Sequence, residues 1–220
     1  MTLVVDDAGS GDLLFGVVIG VYREETGEFK YDMVDVKFYQ DQALYSEKAY
    51  LQEASRVALR LVAALQPRPD EEIHVCQGYI FDAASAELQQ VYGEAQVKRV
   101  RVAGEAQRLV EIAYLDELRN LGYEPLPERE EKRAKSFFHM LSWLKAHPEM
   151  LRYAKTALPR LKRYRLFRSF HQDALFSAVC SVCGSSCAVP FKPDAQRPVY
   201  CPSCWQKLAR LRRKRKASKH

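Results

Sequence analysis

Six cysteines stand in the 220-residue chain, and four of them fall into two pairs, Cys180-x-x-Cys183 and Cys201-x-x-Cys204, with 17 residues between the pairs. A two-residue gap lets both thiolates of a pair reach one ion, and Gly184 gives the first turn its backbone freedom. Two such pairs make a tetrahedral sulfur set, whose softness and geometry favour Zn²⁺ as a structural ion. Two disulfides or a thioredoxin-like redox pair are the alternatives. A metal-type spacing in a chain with no expected secretory leader favours a reducing, cytoplasmic setting over the first. No βαβ unit surrounds the pairs, which opposes the second. Val189, Phe191, Val199 and Tyr200 suffice for a small hairpin between the pairs, and a module of this size draws folding energy from its metal. Cys187 is surplus, read as a small buried hydrophobe rather than an alternative ligand in C-x₃-C with Cys183, and Cys76 as a core-strand residue.

A second chemistry is written in carboxylates. The apolar run Leu3–Val5 ends in Asp6-Asp7, crosses Gly9-Ser10-Gly11-Asp12 and re-enters an apolar run. Adjacent acids at a strand end are turn formers or cation ligands. Alternation sends their side chains to opposite faces, so one is expected inward, and shared parity with Val4 favours Asp6. Asp82 follows "HVCQGYIF", and Glu111 lies in "GEAQRLVEIAYLDEL" with Gln107 one turn earlier on the same helical face. Each has a structural alternative: Asp82 as the N-cap before Ala83, Glu111 as a solvated helix residue. Asp12, Asp116 and Glu53 are weaker candidates. The histidines show no ligand spacing, and no nucleophile elbow, P-loop or dinucleotide fingerprint is present.

Charge is partitioned. Residues 1–150 carry 17 Lys+Arg and 26 Asp+Glu, a balance of −9, while residues 151–220 carry 17 Lys+Arg against Asp173 and Asp194, a balance of +15. So few acids in a basic third point to a polyanionic partner, nucleic acid (DNA or RNA) first. The tail holds Arg210, Arg212, Arg213, Lys214, Arg215 and Lys216, a segment that neutralises phosphates without reading sequence. A solubilising tail, or contact with an acidic protein partner, is the alternative. No apolar run approaches the roughly 18 residues a membrane span needs.

The elements that must position these groups follow from periodicity. Leu3–Val5, Leu13–Tyr22 and Phe29–Tyr39 read as a meander, with a change of phase in the third strand that suggests a bulge. Ser46–Gln66 has helical spacing and is stopped by Pro67-Arg68-Pro69. Ile73–Phe81 reads as a fourth strand, Ala83–Tyr92 as a helix, Val97–Val102 as a fifth strand and Glu105–Leu121 as a helix closed by Gly122. Strands alternating with helices call for parallel pairing.

The order β-β-β-α-β-α-β-α over about residues 1–122, together with the placement of its acids, resembles the ribonuclease H-like superfamily, whose members include endonuclease V. That resemblance implies a mixed α/β sheet. It also implies carboxylates at the end of the first strand, near the end of the fourth, and on a late helix. These would hold one or two Mg²⁺ or Mn²⁺ ions for phosphodiester hydrolysis, assigned here to Asp6 or Asp7, Asp82 and Glu111. The stretch "CG…VPF…RPVYC" resembles small bacterial zinc ribbons.

The expected organisation is a ribonuclease H-like domain over 1–124, a helical basic arm over 125–176, a zinc ribbon over 177–208 and a basic tail over 209–220. The expected function is a nucleic-acid-binding, nuclease-like protein. The alternative is a non-catalytic nucleic-acid-binding or protein-assembly module on the same scaffold.

Overall fold

Two runs rich in β-branched residues and a third with Phe29 and Tyr31 begin the chain and pair as a meander: β1 (Thr2–Ala8), β2 (Val17–Arg23) and β3 (Phe29–Val34). β2 runs antiparallel to both neighbours. The computed structural model describes residues 1–129, 131–171, 176–189, 193–194 and 197–208. After α1 (Gln42–Ser46) and α2 (Ala49–Ala64), β4 (Glu72–Cys76) returns parallel to β1. α3 (Asp82–Tyr92) then leads to β5 (Val97–Val100), parallel to β4, and α4 (Glu105–Asn120) follows. The five-stranded mixed sheet has the order β3-β2-β1-β4-β5. This is the α/β element order on which the resemblance to the ribonuclease H-like superfamily rests.

Alternation along the strands divides the core. Leu3, Val5, Ile19, Val21 and Val75 share one cluster with Ala54, Val57, Ala58, Leu61 and Val62 of α2 and with Ala84 and Leu88 of α3. The opposite face is covered by α4, seated so closely that a Cβ on Gly20 would stand 2.4 Å from Val110 Cγ2. At the amino edge, Arg23 binds the fully buried Glu71 (Nε–Oε1 2.7 Å) and donates to the carbonyl of Leu65 at 2.6 Å. One side chain thus ties β2, the end of α2 and the start of β4 together.

Several strands are shorter than their expected runs: β2 starts only at Val17 and β5 ends at Val100. The change of phase in the third marks its end rather than a bulge: β3 stops at Val34 and a 3₁₀ turn, Val36–Tyr39, is capped by Asp35 accepting from the Lys37 amide at 2.8 Å. β4 stops at Cys76, and Tyr79–Phe81 form another 3₁₀ turn before Asp82 opens α3.

The expected boundary at residue 124 is also displaced. One compact unit spans Met1–Leu166 and a second Phe167–His220. α5 (Arg133–Ala146) is followed by 3₁₀ turns at Pro148–Tyr153 and Pro159–Arg163, with a buried stretch, Ala154 to Ala157, between them. That stretch is stitched to the loop after β1 and to the 3₁₀ turn after β3: Phe15 donates to Tyr153 O (2.7 Å), Lys155 to Leu13 O (2.9 Å) and Ala157 to Tyr39 O (2.8 Å). Backbone groups held this way make residues 125–166 part of the first unit rather than a separate arm.

In the second unit, β6 (Phe176–Val179) and β7 (Ser186–Val189) form an antiparallel hairpin, and residues 202–208 form a final helix, α6.

Candidate functional site

Among the described residues, two groups of side chains bring metal-ligating atoms within 4.8 Å of one another: Cys180, Cys183, Cys201 and Cys204, and Asp6, Asp7 and Cys76.

The cysteine group is built by the hairpin and the helix. Cys180 and Cys183 occupy the turn between β6 and β7, where Gly184 (φ +70°) donates to Cys180 O at 2.9 Å. Cys201 immediately precedes α6 and Cys204 lies in its first turn, with Trp205 donating to Cys201 O at 2.9 Å. All six cysteines are free, and Cys183 Sγ is 3.8 Å from Cys201 Sγ. A tetrahedral zinc with Zn–S of about 2.3 Å has sulfur–sulfur edges of about 3.8 Å. Backbone hydrogen bonds from the two knuckles draw the Cys180 thiol down to about 6, while the hydrogen bond to Cys201 and burial push Cys204 up to about 12. Cys187 packs against the group from β7 without joining it. The hairpin expected between the pairs instead encloses the first pair, and the second pair opens a helix.

The acidic group lies at the carboxyl ends of the parallel strands, where open α/β sheets place their ligand crevices. β1 and β4 pair up to Val5↔Val75; β4 then ends at Cys76 while β1 runs on to Ala8. The gap becomes a cleft of about 220 Å³, lined by Asp6, Asp7, Ser10, Asp12, Cys76, Gln107, Glu111, Arg129 and Arg133 among others. Asp7 leaves β1 on the face of Leu3 and Val5, and Asp6 on the face of Val4, yet both reach the cleft because β4 no longer separates them. The expectation of one inward acid is replaced by a pair.

Gly9 sets the turn beyond them. Its φ is +88°, and a Cβ there would stand 2.4 Å from the ring of Tyr114, so only glycine lets the loop close over α4.

Electrostatics in the cleft are costly without a cation. Burial raises the Asp6 carboxyl, against hydrogen bonds from the Cys76 thiol and the backbone. Burial, then the charge of Asp6, pushes Asp7 up to about 6, against Ser10, Lys155 and Arg133. Burial and the two aspartates push Cys76 up to about 12. Lys155 is fully buried; its Nζ donates to Gly9 O at 2.6 Å and lies 4.8 Å from the centre of the Tyr39 ring. Burial draws it down to about 7, while Asp12 and Asp7 oppose that fall.

The remaining acids do not converge. Glu111 lines the cleft but binds Arg129 (Oε2–Nη2 2.9 Å), whose Nε binds Asp12 Oδ2 at 2.9 Å. A guanidinium therefore sits between Asp12 and Glu111. Asp82 is outside the cleft, two-thirds exposed and paired with Arg99 at 3.2 Å, because β4 ends six residues before it. Glu53 is paired with Arg56 and Asp116 with Arg119 on their own helices. Among the described residues the donor set accordingly fits one divalent ion between Asp6 and Asp7 and does not fit two. Periodicity gave no sign of Cys76 or Arg129 as cleft residues, or of Lys155 as a buried cation beneath the loop after β1. Arg210, Arg212, Arg213, Lys214, Arg215 and Lys216 lie outside the described residues.

A family model described as a probable treble clef zinc finger matches residues 174–209, in keeping with a hairpin knuckle followed by a knuckle at a helix start. No curated protein matches the chain. Among solved structures, the chain is similar to a ribonuclease HIII ("Bst-RNase HIII") solved in complex with Mn²⁺. Identity is 14%, the match covers 77% of this chain and 68% of that one, and the TM-score is 0.43. No helix among the described residues is long and apolar enough to cross a membrane.

Proposed function

We propose that this is a nucleic-acid-binding protein on a ribonuclease H-like scaffold, whose acidic cleft takes one divalent cation and forms no two-ion phosphodiesterase centre. The observation that carries the reading is Arg129 seated between Asp12 and Glu111, with Cys76 rather than a carboxylate at the end of β4. Two-ion catalysis needs carboxylates bridging both ions about 4 Å apart, and here the second position already holds a positive charge. The zinc finger and the basic C-terminal third supply the attraction for a polyanion, and a reducing, cytoplasmic compartment suits four free thiols. Hydrolysis assisted by a single Mg²⁺ or Mn²⁺ is the second reading. It is favoured by Asp6, Asp7 and Cys76 keeping their ligand atoms within 4.8 Å.

Fluorescence anisotropy with labelled DNA and RNA oligonucleotides across a salt series tests the binding. Affinity should fall steeply with salt, and removing residues 209–220, which carry seven Lys and Arg, should flatten the slope by roughly 0.7 to 0.9 for each phosphate no longer neutralised. Absence of binding at 50 mM salt, or affinity independent of salt, would overturn the proposal.

A further inference from the structure

Beside the acidic cleft, and sharing Gly11 and Arg133 with it, lies a second depression of about 330 Å³. It is lined by Ala134, Phe137, Phe138, Arg160 and Arg163. Among the described residues its walls contain no carboxylate and three arginines. Arg160 donates to Gly11 O at 3.0 Å and lies 5.2 Å from the centre of the Phe137 ring. Arg163 lies 4.9 Å from the ring of Tyr164. Arg133 also faces the acidic cleft, where its charge acts on Asp7, while Arg160 is held by a backbone carbonyl and a ring rather than by a carboxylate. α5 buries Ser136, Met140, Leu141 and Leu144, which leaves Phe137 and Phe138 off its packed stripe. Phe138 is 55% exposed and meets Phe137 edge to face at 5.5 Å.

An exposed ring braced by a second aromatic and flanked by guanidiniums complements a ligand that alternates flat apolar faces with anionic links. Unstacked nucleotides have that form. A duplex keeps its base faces covered, and an acidic peptide brings charge without flat rings. We propose that this groove holds single-stranded nucleic acid. Arg133, Arg160 and Arg163 face phosphates, Phe138 stacks beneath a base, and the strand passes the acidic cleft at Arg133. The inference deepens the nucleic-acid-binding reading and depends on it.

The test uses the full zinc-loaded chain, a labelled single-stranded oligonucleotide and a duplex of equal length. Phe138 is on the surface, so Phe138→Ala should keep the wild-type unfolding midpoint. It should weaken single-strand binding roughly 5- to 100-fold and leave duplex binding unchanged. Arg163→Gln should lower the salt slope on single strands by about 0.7, and a 5-iodouridine oligonucleotide should photocross-link at Phe137 or Phe138. Both variants binding single strands as the wild type does, while the full chain still binds nucleic acid, would overturn the groove and leave the broader function standing. So would variants that lose only the binding of an acidic peptide. A full chain that binds no nucleic acid at low salt would overturn both.

Discussion

Asp7 is the residue at which the cleft's energetics are most exposed to measurement. Its folded pKa, about 6, lies above the ordinary carboxylate value, so folding favours the protonated acid. In metal-free buffer, stability from this group is fully present below the unfolded pKa and is lost as pH rises through about 6. A rise of about two units corresponds to ~3 kcal/mol. Asp7→Asn should therefore be more stable than the wild type by up to ~3 kcal/mol at pH 8 in denaturant unfolding, with the gap roughly halved at pH 5. Saturating Mn²⁺ should narrow it by stabilising the wild type alone. A wild type more stable than the variant at pH 8 without metal would contradict a strained, cation-free cleft. Asp6-Asp7 was legible because a strand end and a glycine turn are local signals. Arg129 and Lys155 were not, because Arg129 meets Asp12 and Lys155 meets Gly9 across more than a hundred residues of chain. Asp82 was misplaced because Tyr79, Ile80 and Phe81 continue an apolar run that the backbone leaves at Cys76.

Elements were legible where their period was long and their stops chemical. α2 fell within the expected helix, which Pro67 closes, and the mixed sheet followed from the order of strands and helices. The 3₁₀ turns were missed because their aromatic residues look like strand, and the buried stretch from Ala154 to Ala157 because its partners are backbone groups of a distant loop. The zinc module shows the same division. The cysteine spacing named the ion, but the hairpin-then-helix arrangement depends on Cys204 lying within α6, which spacing does not encode. A hairpin of four-residue strands and a short helix bury too little apolar surface to fold unaided. Metal analysis should return one zinc per chain. Cys180→Ser combined with Cys183→Ser should abolish it and expose residues 167–208 to protease, while Met1–Leu166 keeps its protection. Full zinc content in that variant would defeat the assignment.

Over the whole molecule, the asymmetry of charge is the plainest functional statement in the chain, −9 in the first 150 residues against +15 in the last 70. An acidic cleft repels phosphates unless a cation intervenes, and here the intervening charges are largely the protein's own, Arg129 between Asp12 and Glu111 and Lys155 beneath the loop. Such a molecule is expected to hold a polyanion without cutting it. The direct test incubates end-labelled single-stranded, duplex and RNA–DNA hybrid substrates with the full chain in Mg²⁺ or Mn²⁺, at concentrations where anisotropy shows the strand to be bound. The strands should remain intact, indistinguishable from those left by Asp6→Asn/Asp7→Asn. Divalent-dependent cleavage by the wild type that disappears in the double variant would contradict a non-cutting cleft and install single-ion hydrolysis in its place.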